Sequence, residues 1–119
     1  MVSTKLPRDS SDSMSTATKM LKEEQQLLAT LSSPERLSWA VNRFEGHFAL
    51  TTSFGIQSAV LLHMLSGLKD GDSVPVIWVD TGYLPEETYQ YSETLQELLN
   101  IRLVVAQSSM SPARMEAVE

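Results

Sequence analysis

The chain has no cysteine among its 119 residues. Disulfides, iron–sulfur ligation and thiol chemistry are removed together, because each needs a sulfur that this sequence does not supply. Long apolar runs are missing too. The longest, Ala59 to Leu65, is interrupted by His63 and falls far short of the ~20 residues a membrane-spanning helix requires. The N-terminus lacks the basic-then-apolar order of a secretory signal, so a cytoplasmic protein with no membrane partner is expected. Positive charge is also scarce: nine Lys and Arg stand against fifteen Asp and Glu, for a net charge of −6. Residues 1 to 20 hold three basic and two acidic side chains, which leaves −7 on the remainder. The basic residues are scattered singly among carboxylates, which argues against a nucleic-acid partner.

What is present is a sequence 42% hydrophobic and long enough for one domain with a core. Residues 1 to 18 are rich in Ser and Thr and nearly devoid of large apolar side chains, so they read as a disordered tail, with the ordered part running from 19 to 119. Lys19 to Leu31 places Met20, Leu21, Leu27, Leu28 and Leu31 on one helical face. Ser33-Pro34-Glu35 starts a second helix, with Ser33 as cap and an inner stripe of Leu37, Val41 and Phe44 up to Gly46.

From His47 the order becomes strand, loop, helix, strand, loop, helix, strand, the pattern of a parallel sheet wrapped by helices. The strands are predicted at Phe48 to Thr52, Val74 to Val79 and Ile101 to Ala106, and the helices at Ile56 to Ser66 and Pro85 to Leu99. Glu86 and Glu87 suit the first turn of the latter, where they complement its dipole. Ser111-Pro112 opens one more helix, still unfinished at Glu119, and the missing stop signal predicts the front part of a longer protein.

Two loops carry the functional signal. Thr51-Thr52-Ser53-Phe54-Gly55-Ile56-Gln57-Ser58 joins a strand to a helix through small residues, and backbone N–H groups there have no intrahelical partner. With the positive end of the helix dipole behind them and no side chain at Gly55, an anion can approach closely. Taken alone, the loop is equally an ordinary strand-to-helix turn. The second loop, Asp80-Thr81-Gly82-Tyr83, ends the run Val74 to Val79, so both loops are expected at the carboxyl ends of parallel strands, where such sheets bind ligands.

Ser53-Phe54-Gly55-Ile56-Gln57, with Asp80-Thr81-Gly82-Tyr83-Leu84 and Glu87-Thr88-Tyr89, resembles the phosphoadenylyl-sulfate (PAPS) reductase family of sulfate assimilation, over about Leu37 to Glu119. The resemblance implies an α/β fold, a partial doubly wound parallel sheet of the adenine nucleotide alpha hydrolase-like type, preceded by N-terminal helices. That wider group usually carries a phosphate loop (PP-loop) written Ser-Gly-Gly-x-Asp-Ser. Here Phe54 replaces the first Gly and Gln57 the Asp, a departure that the resemblance links to reductases. Neutral Gln57 can donate amide hydrogens to phosphate or sulfonate oxygens, whereas an Asp there is tolerable chiefly with a bridging metal, so neither metal nor cofactor is expected.

The resemblance further implies a thioredoxin-dependent enzyme about twice this length, with its cysteine near the C-terminus. That thiolate attacks the sulfonate sulfur, adenosine 3′,5′-bisphosphate leaves, and thioredoxin resolves the S-sulfocysteine to sulfite. With no such nucleophile, this chain is expected to bind PAPS or adenosine bisphosphate without catalysing. PAPS is favoured over adenylyl sulfate. Basic side chains are few, only Arg36, Arg43, Lys69, Arg102 and Arg114 in the domain, so part of the charge a multiply anionic ligand needs is expected from elsewhere. The doubly wound order also places the 47–52 strand centrally, beside 74–79 and a later strand absent here; an open edge, and with it a homo-oligomer, follows.

The expected substrate-binding set is Ser53, Phe54, Gly55, Gln57 and Ser58 for phosphate, and Asp80, Thr81, Gly82 and Tyr83 on the nucleoside side, with no catalytic residue. Asp80 reads as a contact to the adenine amino group or ribose hydroxyls in preference to a loop cap, since two anions repel. Tyr83 either stacks on the base or covers the core. His63 reads as a packing residue, and Glu86 and Glu87, being adjacent on a helix, do not converge for acid–base work. Two rivals stand beside this reading: an ATP-pyrophosphatase such as the small subunit of sulfate adenylyltransferase, against which Phe54 and Gln57 argue, and a non-catalytic nucleotide-binding or interaction module.

Overall fold

The computed structural model describes residues 11–119. Two compact units are present, one ending at Arg36 and one formed by Leu37–Glu119. The first contains helix α1, Ser11–Thr30, and the first turn of α2, Ser33–Arg43. Helix α1 starts eight residues ahead of Lys19, so Ser11 to Thr18 is helical where a disordered tail was expected; the remainder of that tail lies outside the described residues. Residues 15–18 are exposed, and what extends the helix is propagation: adding a residue to a formed helix costs far less than nucleating one.

The cap of α2 is Ser32, one residue before the expected Ser33. Its Oγ accepts the Glu35 N–H at 3.3 Å while Glu35 Oε1 accepts the Ser32 N–H at 3.0 Å, a reciprocal capping box. The Ser32 hydroxyl, then its amide, hold the Glu35 carboxyl below the usual glutamate range. Arg36 turns back on α1, its Nε donating to the carbonyls of Leu28 and Leu31 at 2.8 and 3.1 Å, so end-of-helix acceptors find a donor.

In the second unit the chain alternates strand and helix: β1 Leu50–Thr52, α3 Ser58–Ser66, β2 Pro75–Asp80, α4 Glu86–Leu98, β3 Arg102–Gln107 and α5 Pro112–Val118. The strands form one parallel sheet in the order β1-β2-β3, Leu50 level with Val76 and Val76 level with Leu103. This is the α/β fold expected, a three-stranded parallel sheet with N-terminal helices, consistent with part of a Rossmann-like, doubly wound fold. Strand β1 is shorter than the predicted 48–52. The register sets Ala49 level with Pro75, which has no N–H to contribute to the ladder.

Both crossovers step the same way, and since parallel strand-helix-strand connections are right-handed as a rule, α3 and α4 belong on one face of the sheet. Burial agrees. Leu62 and Leu65 of α3 and Leu95 of α4 share a core with Val76 and Trp78 of β2, and with Leu37, Phe54 and Val74. On the other face Ile77 lies beside Val104 and Val79 beside Ala106, and Val79 and Val104 are exposed. No strand pairs with the outer edge of β1 among the described residues.

Candidate functional site

Both loops singled out from the sequence leave the carboxyl ends of neighbouring strands, the first after β1 and the second after β2. Phe54 bends the first. It has φ 54°, a left-handed conformation that costs a non-glycine residue roughly 1–2 kcal/mol. Two contacts hold it there. Its N–H donates to Thr52 Oγ1 at 3.1 Å, and its ring is 3% exposed, edge-on to Trp78 with the centroids 4.9 Å apart. The left-handed turn thus falls on Phe54, and Gly55 is not in that region.

After the reversal, Ser58 N–H bonds the Gly55 carbonyl at 3.0 Å, and α3 begins at Ser58, two residues later than the predicted Ile56. Gln57 is the N-cap, with no side-chain capping bond. The N–H groups of Gly55, Ile56 and Gln57 have no hydrogen-bond partner among the described residues. A Cβ built on Gly55 would meet only Ser53 Oγ, at 3.4 Å, so the glycine answers to neither backbone strain nor packing. Three free amides at a helix N-terminus behind an unblocked Cα suit an anion. Phe54, being turned into the core, can offer a ligand only its backbone.

The second loop is tied down by Asp80. Oδ1 accepts the Gly82 N–H at 2.9 Å and the Tyr89 hydroxyl at 2.7 Å, and Oδ2 accepts Gln107 Nε2 at 3.2 Å. The Tyr89 hydroxyl above all, then the Gly82 amide, hold the Asp80 carboxyl below the ordinary aspartate range; burial opposes them and Gln107 adds to them. The same bond raises the Tyr89 phenol, helped by burial and opposed by the Leu84 amide. Asp80 thus caps its own loop, the role the sequence offered beside a nucleoside contact. Thr81 Oγ1 accepts the Tyr83 N–H at 3.2 Å, and the Tyr83 hydroxyl donates to the Pro112 carbonyl at 2.9 Å. With Tyr83 52% exposed, covering the core is not its role.

Among the described residues, three clefts line this end of the sheet. One of about 440 Å³ lies between Gly55, Ile56 and Glu87, Thr88 and Tyr91 of α4. The least apolar, about 310 Å³, runs from Asp80 and Gly82 to Gln107, Ser108 and Ser111. The most apolar, about 460 Å³, is lined by Val79, Tyr83, Ala106 and Met115 among others. None of the three is lined by Lys or Arg. Arg102 sits at the opposite end of the sheet, bonded to the Ser73 carbonyl at 3.3 Å. Among the described residues, no group of three or more His, Asp or Glu could hold a metal ion, and no helix is long and apolar enough to cross a membrane.

Sequence reasoning missed Tyr89, Gln107, Thr52 and Pro112 as parts of the site. Tyr89 stood in the Glu87-Thr88-Tyr89 motif, but nothing in the spacing shows that its hydroxyl reaches Asp80. Residues 47–119, which contain both loops and all four of these tethers, match the family model of the phosphoadenosine phosphosulfate reductase domain. The chain belongs to this family. Phosphoadenosine 5′-phosphosulfate reductases that it resembles include one from Synechococcus, 47% identical over 98 residues that make up 82% of this chain and 41% of the relative. One from Synechocystis is 45% identical over 91 residues, 76% of this chain and 36% of the relative. The Vibrio cholerae protein is 44% identical over 97 residues, 82% and 38% respectively. The chain thus spans about two fifths of the length of these phosphoadenosine phosphosulfate reductases.

Proposed function

We propose that this chain is the nucleotide-binding part, within residues 19–119, of a thioredoxin-dependent PAPS reductase that converts PAPS to sulfite and adenosine 3′,5′-bisphosphate in a cytoplasmic sulfate-assimilation pathway. The observation that carries the reading is the trio of unpartnered amides at Gly55, Ile56 and Gln57, set at the strand end next to the Asp80 to Tyr83 loop. Ser53, Phe54, Gly55, Gln57 and Ser58 hold phosphate, the first four through the loop and the last at the start of α3. Asp80, Thr81, Gly82 and Tyr83 face the nucleoside. The apolar cleft of Val79, Tyr83, Ala106 and Met115 beside them suits an adenine ring.

The chemistry needs a thiolate that attacks sulfur, expels the adenosine bisphosphate and passes the sulfur to a dithiol. No side chain in this sequence replaces it, and the clefts hold no cation to balance a second phosphate and a sulfonate. The purified chain therefore binds adenosine 3′,5′-bisphosphate weakly and releases no sulfite from PAPS with reduced thioredoxin. Turnover above a protein-free control contradicts the inactivity. Gly55→Val abolishes the nucleotide binding while the fold persists, because the branched side chain fills the anion's approach and meets little else. Calorimetry on both proteins decides the matter, and equal affinities place the ligand elsewhere.

A further inference from the structure

The two loops are joined beneath their clefts by a row of side chains from three elements. Phe54 of the first loop stands edge-on to Trp78 of β2 at 4.9 Å between centroids and 87° between planes. Trp78 meets Tyr89 of α4 at 5.8 Å and 62°. The Tyr89 hydroxyl then bonds Asp80 Oδ1 at 2.7 Å, the oxygen that also takes the Gly82 N–H. Phe54 and Trp78 are 3% and 5% exposed, so the row is anchored in the core. Its far end is the only part that reaches the second loop.

We propose that Tyr89 is a positioning residue for the nucleoside side of the site, acting through Asp80; this rests on the nucleotide-binding reading above. The Asp80 carboxylate has three donors, and two of them belong to exposed residues: Gly82 is part of the loop to be fixed, and Gln107 lies at the end of β3. Tyr89 alone of the three is packed against the core. Without its hydroxyl the carboxylate and the loop keep their bonds to each other, to Gln107 and, through Tyr83, to Pro112, but the side chain loses the one donor packed against the core. A ligand must then order the loop as it binds, which weakens affinity without removing any ligand contact. The ring is a separate matter. It packs on Trp78, and through Trp78 on Phe54, so its effect is on the phosphate loop.

Tyr89→Phe separates the two, since it keeps the ring and removes the hydroxyl. Calorimetric titrations of the wild-type chain and the variant would use adenosine 3′,5′-bisphosphate and, separately, inorganic pyrophosphate, which engages the phosphate loop without a nucleoside. The expected result is a roughly tenfold loss of nucleotide affinity, the scale of one hydrogen bond to a charged group, with pyrophosphate affinity unchanged. In an Asp80→Ala background, Tyr89→Phe should have no further effect, because the bond through which it acts is already gone. Equal nucleotide affinities of wild type and variant overturn the proposal and leave the nucleotide reading intact. Equal losses for both ligands, or a full additional loss in the Asp80→Ala background, also overturn it, the first by making Tyr89 a support of the fold and the second by making it act without Asp80. If the wild-type chain binds pyrophosphate but no nucleotide, the nucleotide reading itself fails and the proposal with it.

Discussion

Gly82 lies against Pro112 so closely that a Cβ on the glycine would come within 2.5 Å of the proline Cγ. The contact joins the loop after β2 to the first turn of α5, and the Tyr83 hydroxyl bond to the Pro112 carbonyl closes the same junction from the other side. Gly82 also has φ +80°, so a side chain there meets a backbone penalty as well as a clash. Gly82→Ala is expected to destabilise the chain by on the order of 2 kcal/mol, combining left-handed strain with overpacking. Thermal or denaturant melts of Gly82→Ala, Pro112→Ala and the double variant test this. The double variant should recover the part due to the clash and keep the part due to φ, and strictly additive losses would show that the two residues do not press on each other.

Phe54 offers a test of backbone strain against side-chain burial. Phe54→Ala should cost about 3–5 kcal/mol, as for other buried aromatic rings cut back to a methyl. Phe54→Gly removes the same ring but relieves the left-handed strain of ~1–2 kcal/mol, which offsets the ~0.4–1 kcal/mol that glycine adds to the entropy of the unfolded chain. The glycine variant should therefore be at least as stable as the alanine variant. A clearly weaker glycine variant in urea titrations would mean that Phe54 is not held at positive φ in solution.

The Asp80–Tyr89 bond ties stability to pH at both ends of the scale. Asp80 is held below its ordinary value, so its contribution is fully present above ~3.9 and is lost as pH falls through the lower, folded-state value. Tyr89 is raised, so its contribution is present below ~10 and is lost as pH rises through the higher, folded-state value. Tyr89→Phe removes only the hydroxyl from that bond, so in the melting-temperature profile it should abolish the part of the alkaline limb due to Tyr89 and shrink, without abolishing, the acid limb due to Asp80, which keeps the Gly82 and Gln107 donors. A variant that keeps both limbs of the wild-type curve would show that other groups produce them.

Strand β1 has a free outer edge among the described residues, and Thr51 in its middle is exposed. A free edge is a template for pairing, so the isolated chain is expected to self-associate as its concentration rises despite a net charge of −6, and Thr51→Lys should reduce this. Sedimentation gives the association state, and amide exchange gives the edge. A stable monomer in which residues 50–52 are as protected as 75–80 would mean that the β1 edge is covered in solution.

The sequence alone determined the order of elements and the place of both loops, for a physical reason that is local. Apolar runs broken by small residues at Ser53 to Gln57 and at Asp80 to Gly82 leave the backbone few options but strand, turn and helix, and the parallel order follows from the alternation. Boundaries shifted where a partner decided them: Pro75 shortened β1 from the neighbouring strand, and Ser32 captured the α2 cap through Glu35. The contents of the loops were a matter for tertiary structure. That Phe54 and not Gly55 takes the left-handed turn depends on a pocket beside Trp78, 24 residues away in sequence, and that Asp80 braces its own loop depends on a hydroxyl from α4 and an amide from β3. Spacing within a loop cannot reveal such contacts, because they are set by how neighbouring strands and helices pack, and each binds residues that are far apart along the chain.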